Sequence, residues 1–471
     1  MKNSRVLFII HDVYQDDNWF PMGPGYIAAV LKNADVEVKV YNQDVFHYTN
    51  DELAQYLSKE FFDIITIGFL AARFTETIID LCQVVNKFKK DAWLVLGGHG
   101  PSPIPEYVLK TTGADIAAIG EAEETFLDLI KCKINNHDLH SINGIAFFDE
   151  NNKFVETPRR KVIRNLDSLP FPEWSLFPME QYSTCIKTAR MTSEDKAFGI
   201  LTSRGCINRC SFCYRMEKGI RFRSVQNIVS EMRELNEVYG ITFFLMYDEL
   251  FVYPRKRIFE FSDELQRNDL KIKYQCNARV DIFDDEIAQC LKESGCQFVN
   301  FGMESSSQKV LDLMNKNTTV ETNIKVAEIV KRHEIGIGLN FIWGNPGDTE
   351  QSLWDNVYLI KKYNMYDQLR TIRPVTPYPG CDLYYTAIDM GLLTGPEDFF
   401  NKFKNSDRFT LNFTGIPEKK YYNLLFKANK ELILDYYAHT NGDEKAANEL
   451  IDAFYRLYFL DNTKFRGARK S

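Results

Sequence analysis

Short apolar runs alternate with amphipathic stretches from the start of this chain. Runs at 6–10, 36–41, 64–69, 93–98 and 116–120 read as strands, and 24–32, 75–89, 105–112 and 123–133 read as helices between them. Strands that alternate with helices in this way predict a parallel sheet covered on both faces. Five strands at this spacing suit a flavodoxin-like doubly wound sheet over residues 1–140. The stretch 141–195 differs. It opens with a hairpin-like segment turning at Asn151 and Asn152, passes through Arg159, Arg160, Lys161 and Arg164, and ends in the proline-rich DSLPFPEW. Prolines break regular structure, so a linker packed along a domain boundary is expected here.

A second series begins near residue 196, with strands at 198–203, 242–247, 271–276, 298–303, 338–343 and 369–374. Helical intervals such as 225–239, 256–268 and 284–294 separate them. Six such repeats predict a partial (β/α) barrel over 196–385, in which the chemistry gathers at the C-terminal strand ends. From 386 to 471 a small helical region is expected. Its aromatic residues, Tyr421, Tyr422, Phe426 and Tyr458 among them, have the spacing of a packed core. The last residues, 464–471, read as a flexible basic tail.

Composition narrows the function. At 471 residues the chain exceeds what one hydrophobic core supports, so several domains are expected. A net charge of -8 argues against a nucleic-acid partner, which would need a basic face. The N-terminal apolar run ends at His11 and Asp12, so no signal peptide and no membrane span are expected, and the location expected is cytoplasmic. In that reducing setting the ten cysteines should stay unpaired. Cys82, Cys132, Cys185, Cys276, Cys290, Cys296 and Cys381 are scattered and read as small apolar residues.

The remaining three stand together in SRGCINRCSFCYR, at Cys206, Cys210 and Cys213. Thiolates are the usual ligands of iron–sulfur clusters, and three rather than four leave one iron of a cubane open for chemistry. A zinc knuckle is the alternative reading. Zinc takes a fourth protein ligand at short spacing, and no Cys or His follows Cys213 before Cys276. Polar groups stand at the following strand ends: Asp248 and Glu249 after the second strand, then Arg279, then Gly302, Glu304 and Ser305, then Gly344, Pro346 and Gly347. A carboxylate there can accept from an ammonium or a ribose hydroxyl, and an Arg can fork onto a carboxylate.

Residues 197–385, with the cysteine motif, GMES and GNPGDT, resemble the radical S-adenosylmethionine (SAM) enzymes. The resemblance implies a 4Fe-4S cluster on the three cysteines, with SAM chelated to its open iron. It further implies Arg279 on the SAM carboxylate, Asp248 or Glu249 near the amino group or the substrate, Glu304 on the ribose, and Gly302, Ser305, Gly344 and Pro346 lining the site. Where this family often has Gly-Gly-Glu, the chain reads Tyr247, Asp248, Glu249, so the amino-group contact stays open.

The first domain carries GPGYIA at 23–28, a G-x-G-x-x-A pattern, but a long loop separates it from the first strand, which is the wrong context for a dinucleotide site. The loop at 11–18, PMGPGYIAAVL, GGHGPSPIPE and IGEAEETFLDLI instead resemble the cobalamin-binding domain found ahead of the barrel in one class of radical SAM enzymes. That resemblance implies a corrin on the sheet's C-terminal edge, lined by the loops at 11–18, 68–74, 97–103 and 120–123. Gly68, Gly97, Gly98, His99, Gly120 and Glu121 are the candidate contacts. The D-x-H-x-x-G loop of the cobalamin mutases is missing, so no lower histidine ligand is expected; His99 is the histidine singled out on these loops.

Taken together, the resemblance implies a cobalamin-dependent radical SAM methyltransferase. A 5′-deoxyadenosyl radical would activate an unactivated carbon of a small biosynthetic intermediate, with a flavodoxin- or ferredoxin-type electron donor. Members that cyclise, rearrange or oxidise share these motifs and remain an alternative. A non-catalytic module binding cobalamin and a cluster is a third.

Overall fold

A computed structural model describes residues 1, 3–13, 18–74, 76–402, 411–440 and 442–460; the expected basic tail and part of the 11–18 loop lie outside them. The first sheet comprises β1 (Arg5–Ile10), β2 (Glu37–Asn42), β3 (Ile64–Gly68), β4 (Trp93–Gly97), β5 (Ile116–Ala118), β6 (Ile145–Phe148) and β7 (Phe154–Glu156). Its order is β2-β1-β3-β4-β5-β6-β7, with β1 to β5 parallel and the last two antiparallel. The first five strands thus have the flavodoxin-like order. The parallel strands bury residues on both faces, such as Val6, Leu7 and Phe8 with side chains in opposite directions, which is why they read as continuous apolar runs.

One difference from the sequence reading is the hairpin β6–β7. It was expected within a linker starting at 141, but it pairs with β5 and extends the first sheet. The prolines then begin a covering strap. Phe177 and Tyr182 of this strap pack with Phe20 against Phe198 of the next domain, the Phe20 ring lying 4.9, 5.7 and 5.0 Å from the three. Each such fully buried aromatic contributes on the order of 2–3 kcal/mol.

The second sheet is formed by β8 (Ala197–Ile200), β11 (Phe243–Met246), β12 (Lys273–Ala278), β13 (Cys296–Glu304), β14 (Gly336–Trp343) and β15 (Arg373–Pro374). Between β8 and β11 lies a separate hairpin, β9 (Ser203–Cys206) with β10 (Gly219–Phe222). The six strands are parallel and neighbours in space follow the order of the chain, curling into a partial barrel. Helices such as Val225–Tyr239 return the chain across the outer face. That helix starts on the Ser224 side chain, which accepts from the Asn227 amide, and stops at Gly240 with φ +70°. The helix Glu418–Thr440 packs against Glu350–Tyr363 and brings its buried Tyr421 to the end of β14. No helix among the described residues is long and apolar enough to cross a membrane.

Candidate active site

The cysteine loop hangs from the end of β8 on the hairpin β9–β10. Gly205, at φ +87°, allows β9 to approach the Gly219 carbonyl so closely that any side chain there would overlap it. The root of the hairpin is pinned by Asp248 at the end of β11. Its buried carboxylate accepts from the Thr202 amide at 3.2 Å, the Thr202 hydroxyl at 2.8 Å and the Ser203 hydroxyl. Arg257 donates to the Thr202 carbonyl and hydroxyl at 2.9 and 2.6 Å. Asp248 therefore anchors the cysteine loop instead of facing a ligand, a correction to the sequence reading. Glu249 is the strand-end carboxylate left exposed, and its charge falls on Cys213.

The far side of the loop rests on residues 314–316: the Ser211 amide donates to the Met314 carbonyl at 2.9 Å, and Asn315 donates to the Arg209 carbonyl at 2.8 Å. Burial raises the Cys210 thiol, while the cations Lys316 and Arg279 pull it down. Burial pushes Cys213 up to about 12, with Glu249 and the other two thiols adding to it. Such thiols give up protons only to a strongly positive centre. Among the described residues no three of His, Cys, Asp and Glu converge on a position for one metal ion. One zinc would need that convergence, whereas a cubane spreads its three thiolates over three irons. The donor set fits a cluster.

Around the cysteines the structure assembles a charged floor. Arg279 is buried and forks onto Asp281 at 2.9 and 3.1 Å, with its Nη2 also donating to the Lys316 carbonyl at 2.8 Å. Glu304, at φ +64°, accepts from Lys316 Nζ at 2.8 Å, both side chains being buried. Gly302 lies directly against this pair: a Cβ there would overlap the Glu304 carboxylate and stand 2.9 Å from Lys316 Nζ. Lys316 escaped the sequence reading because MNKNT, residues 314–318, looks like a solvated loop.

Two expected contacts are engaged within the protein. Ser305 is fully buried and its hydroxyl accepts from the Ser307 amide at 3.1 Å, closing a local turn. Gly344, at φ +101°, donates to Asp348 at 3.0 Å, as does Asn345 at 2.9 Å, and a Cβ at 344 would collide with the Tyr421 hydroxyl. Tyr421 stacks on Trp343 with centroids 4.5 Å apart and donates to its carbonyl at 3.2 Å. Burial raises Asp348 to about 6. The turn that includes half-buried Pro346 is thus closed from behind by the C-terminal helix.

The first sheet's C-terminal edge faces the same loop. Gly98, at φ +97°, lets β4's loop cross β3's: a Cβ there would lie 2.9 Å from the Phe69 carbonyl oxygen. Gly68 at the end of β3 is exposed and Gly97 half-buried, leaving open surface above the sheet. The His99 ring meets Tyr214 of the cysteine loop edge-on, centroids 6.0 Å apart, and burial lowers its pKa. Tyr214 is wedged so that a Cβ at Gly380 would stand 2.6 Å from Pro103 and 2.7 Å from the Tyr214 ring. Gly120, at φ +79°, admits Glu217, whose carboxylate would be 2.6 Å from an added Cβ.

Glu121, expected as a cobalamin contact, is a domain tie instead. It accepts from Arg204 at 3.1 Å, Arg221 at 2.9 Å and the Ile163 amide at 2.9 Å, while Arg204 also donates to Glu123 at 2.6 Å. Burial would raise Glu121, but the two arginines prevail and hold it below the usual range.

His11 opens the 11–18 loop expected to line the corrin, though it is not among the candidate contacts singled out there. It follows β1, and the neighbouring strand β3 leads to Gly68 and on to Arg73. In a 2-1-3-4-5 sheet this β1/β3 junction is the topological switch point where ligands bind. Among the described residues neither His11 ring nitrogen, both buried, has a hydrogen-bond partner, and burial, with Arg73 adding, lowers the imidazole to about 4, so it is neutral at pH 7. A neutral imidazole without a partner among the described residues, beside an exposed glycine edge, keeps a donor and an acceptor for a ligand such as a corrin with its fringe of carboxamides.

Residues 200–360 match the family model of the Radical SAM superfamily, and residues 13–130 match that of the B12 binding domain. The chain is a radical SAM enzyme with a B12-binding domain. Those domains imply a 4Fe-4S cluster, SAM and cobalamin as its cofactors. The enzyme is 29% identical over 381 residues to an uncharacterized methyltransferase of Pyrococcus horikoshii, covering 79% of each chain. It is 27% identical over 395 residues to the anaerobic magnesium-protoporphyrin IX monomethyl ester cyclase of Rubrivivax gelatinosus, covering 81% of this chain and 69% of that one. Its fold is that of the radical S-adenosylmethionine methyltransferase TsrM of Kitasatospora setae, with a TM-score of 0.71, 17% identity, and 90% and 89% of the two chains covered.

Proposed function

We propose that this radical SAM enzyme transfers a methyl group to an unactivated carbon of a small biosynthetic intermediate. The observation that carries the reading is the contact of Tyr214, on the cysteine loop, with His99, on the edge of the B12-binding domain. It supports a cluster and a corrin opening onto one shared cleft. When bound, the cofactors supply one-electron cleavage of SAM and a methyl carrier.

The chain's own residues hold and insulate. Cys206, Cys210 and Cys213 ligate the cluster, with Lys316 and Arg279 offsetting the negative charge of their thiolates. Glu249 and Glu304 are the carboxylates placed to accept from the SAM amino group and ribose. Arg279 offers its guanidinium to the SAM carboxylate by exchanging Asp281 for it. Gly68, Gly97, Gly98 and His99 form the corrin edge, and Gly120 admits Glu217 beside it. A flavodoxin- or ferredoxin-type donor supplies the electrons.

The similarity to the magnesium-protoporphyrin cyclase favours a second reading, in which the same cleft oxidises or cyclises without methyl transfer. Anaerobically reconstituted enzyme given SAM with a deuterated methyl group separates the two. Methyl transfer predicts 5′-deoxyadenosine together with a product carrying the label. 5′-Deoxyadenosine with an unlabelled, oxidised product establishes the cyclase reading, and no SAM cleavage at all removes both.

A further inference from the structure

The concave face of the partial barrel is divided. On β8 and β11 it is apolar: Ala197, Phe243 and Leu245 pack beneath Ile186. On β12, β13 and β14 the helix-facing residues Cys276, Phe301 and Leu339 are buried in the main core, so strand alternation turns Gln275, Asn277, Asn300, Gly302, Gly338 and Asn340 to the concave side. Closed barrels fill such positions with bulky branched side chains. Here they carry carboxamides and glycines. Asn340 is exposed in the middle of a strand that has a neighbour on each side, so the lumen is open at that level.

The register sets Asn277 beside Asn300, Asn300 beside Gly338 and Gly302 beside Asn340. Gly338 makes the room: a Cβ there would stand 2.9 Å from the Asn300 Cα and overlap its carboxamide. The Asn300 carboxamide makes no hydrogen bond to another described residue. Next to this row lies Arg370, 9% exposed, its guanidinium 5.1 Å above the Phe298 ring. It donates to Asn340 Oδ1 at 3.3 Å and to Gln368 Oε1 at 2.9 Å, and its buried Nε has no partner among the described residues. Both partners are neutral. The nearby carboxylate, Asp367, is paired with Arg190 at 2.9 Å. A desolvated guanidinium usually carries a carboxylate or phosphate on its fork, because burial of an uncompensated charge is costly. The cost is visible in Arg370 itself, lowered to about 10 by burial with Arg373 adding to it, the Asp367 charge offsetting only part.

We propose, resting on the reading that this barrel binds a small-molecule substrate, that the substrate bears an oxyanion, carboxylate or phosphate, which docks on Arg370 while Asn300 and Asn340 hydrogen-bond its polar groups. The site is tested without turnover, by calorimetric titration of the full chain with succinate, inorganic phosphate and the neutral diamide of succinate. At least one of the two anions is expected to bind about tenfold or more tighter than the diamide, and whichever prevails names the oxyanion. Arg370→Met is expected to lose that preference, and Arg370→Lys to keep part of it. Asn300→Asp, at a half-buried position with no hydrogen bond to break, is expected to lose it by placing a like charge in the pocket; it decides the matter if Arg370→Met does not fold. Wild-type protein that fails to distinguish anions from diamide overturns the proposal, as do folded variants that bind anions as wild type does. No SAM cleavage is read, so loss of this site and loss of the methyl-transfer reading are told apart.

Discussion

Glu121 at the end of β5 and Arg204 on β9 form an ion pair at 3.1 Å that ties the B12-binding sheet to the hairpin carrying the cluster cysteines. With Arg221 and Glu123 it makes a four-membered, largely buried network. Breaking one partner of a buried pair costs about 3–5 kcal/mol, less where other partners persist. Glu121→Gln should therefore lower unfolding free energy by about 2 kcal/mol in urea, since Arg204 keeps Glu123. Corrin absorbance after desalting should stay at the wild-type level, because the carboxylate faces the hairpin. Loss of the corrin band with unchanged stability would return Glu121 to the cobalamin site.

The cysteine motif and the B12-binding domain lie on separate sheets. Cys206→Ala, Cys210→Ala and Cys213→Ala should each abolish SAM cleavage and deplete iron and sulfide. Retained cobalamin should be unchanged. Full iron content in any of the three would remove that cysteine from the ligand set.

His11 makes stability depend on pH in a defined direction. Its folded pKa is about 4, against about 6.5 when unfolded. Between these values the unfolded chain binds the extra proton, so His11's contribution is complete above pH 6.5 and is lost as pH falls through 4, a change of about 3 kcal/mol. Asp348, raised to about 6, acts in the opposite sense, because its folded state binds the extra proton. The difference between wild type and His11→Phe isolates the histidine: the variant's urea midpoint should fall less between pH 7 and 4. Parallel profiles would show His11 solvated. His11→Phe should also weaken cobalamin retention, read by absorbance.

Gly302 is needed for the Glu304–Lys316 pair beside it. Gly302→Ala should displace that pair and cost about 3 kcal/mol, matching Lys316→Met, which leaves Glu304 buried and unpaired. The double variant Glu304→Gln with Lys316→Met should recover most of the stability while losing SAM binding by equilibrium dialysis. A Gly302→Ala protein as stable as wild type would mean the strand shifts to admit the methyl group.

The two series of strands were legible along the chain because alternation of apolar runs is a local property, and because sheets buried on both faces leave little ambiguity. The hairpin at 145–156 was legible too, but its attachment to β5 was not, since edge pairing depends on what the neighbouring strand leaves open. Of the strand-end residues expected to contact SAM, Arg279 and Glu304 stand near Cys210, with Gly302 against Glu304 and Lys316. Asp248, Ser305 and Glu121 are bonded to Thr202, Ser307 and Arg204 within the protein. Nothing in the spacing of residues separates a carboxylate that waits for a ligand from one already bonded.

Through resemblance to a family the sequence implied SAM and cobalamin; by itself it determined a cluster motif, three thiols whose spacing is a property of one short loop. It also determined the order of its layers. Only the tertiary structure decided which groups remain unpaired. Lys316 reaches Glu304, His11 has no hydrogen-bond partner among the described residues, and Arg370 is buried with neutral amides on its fork because of contacts made by residues distant in the chain. Desolvation acts on position in space, and it gives each of these side chains its charge state and its available lone pair or proton.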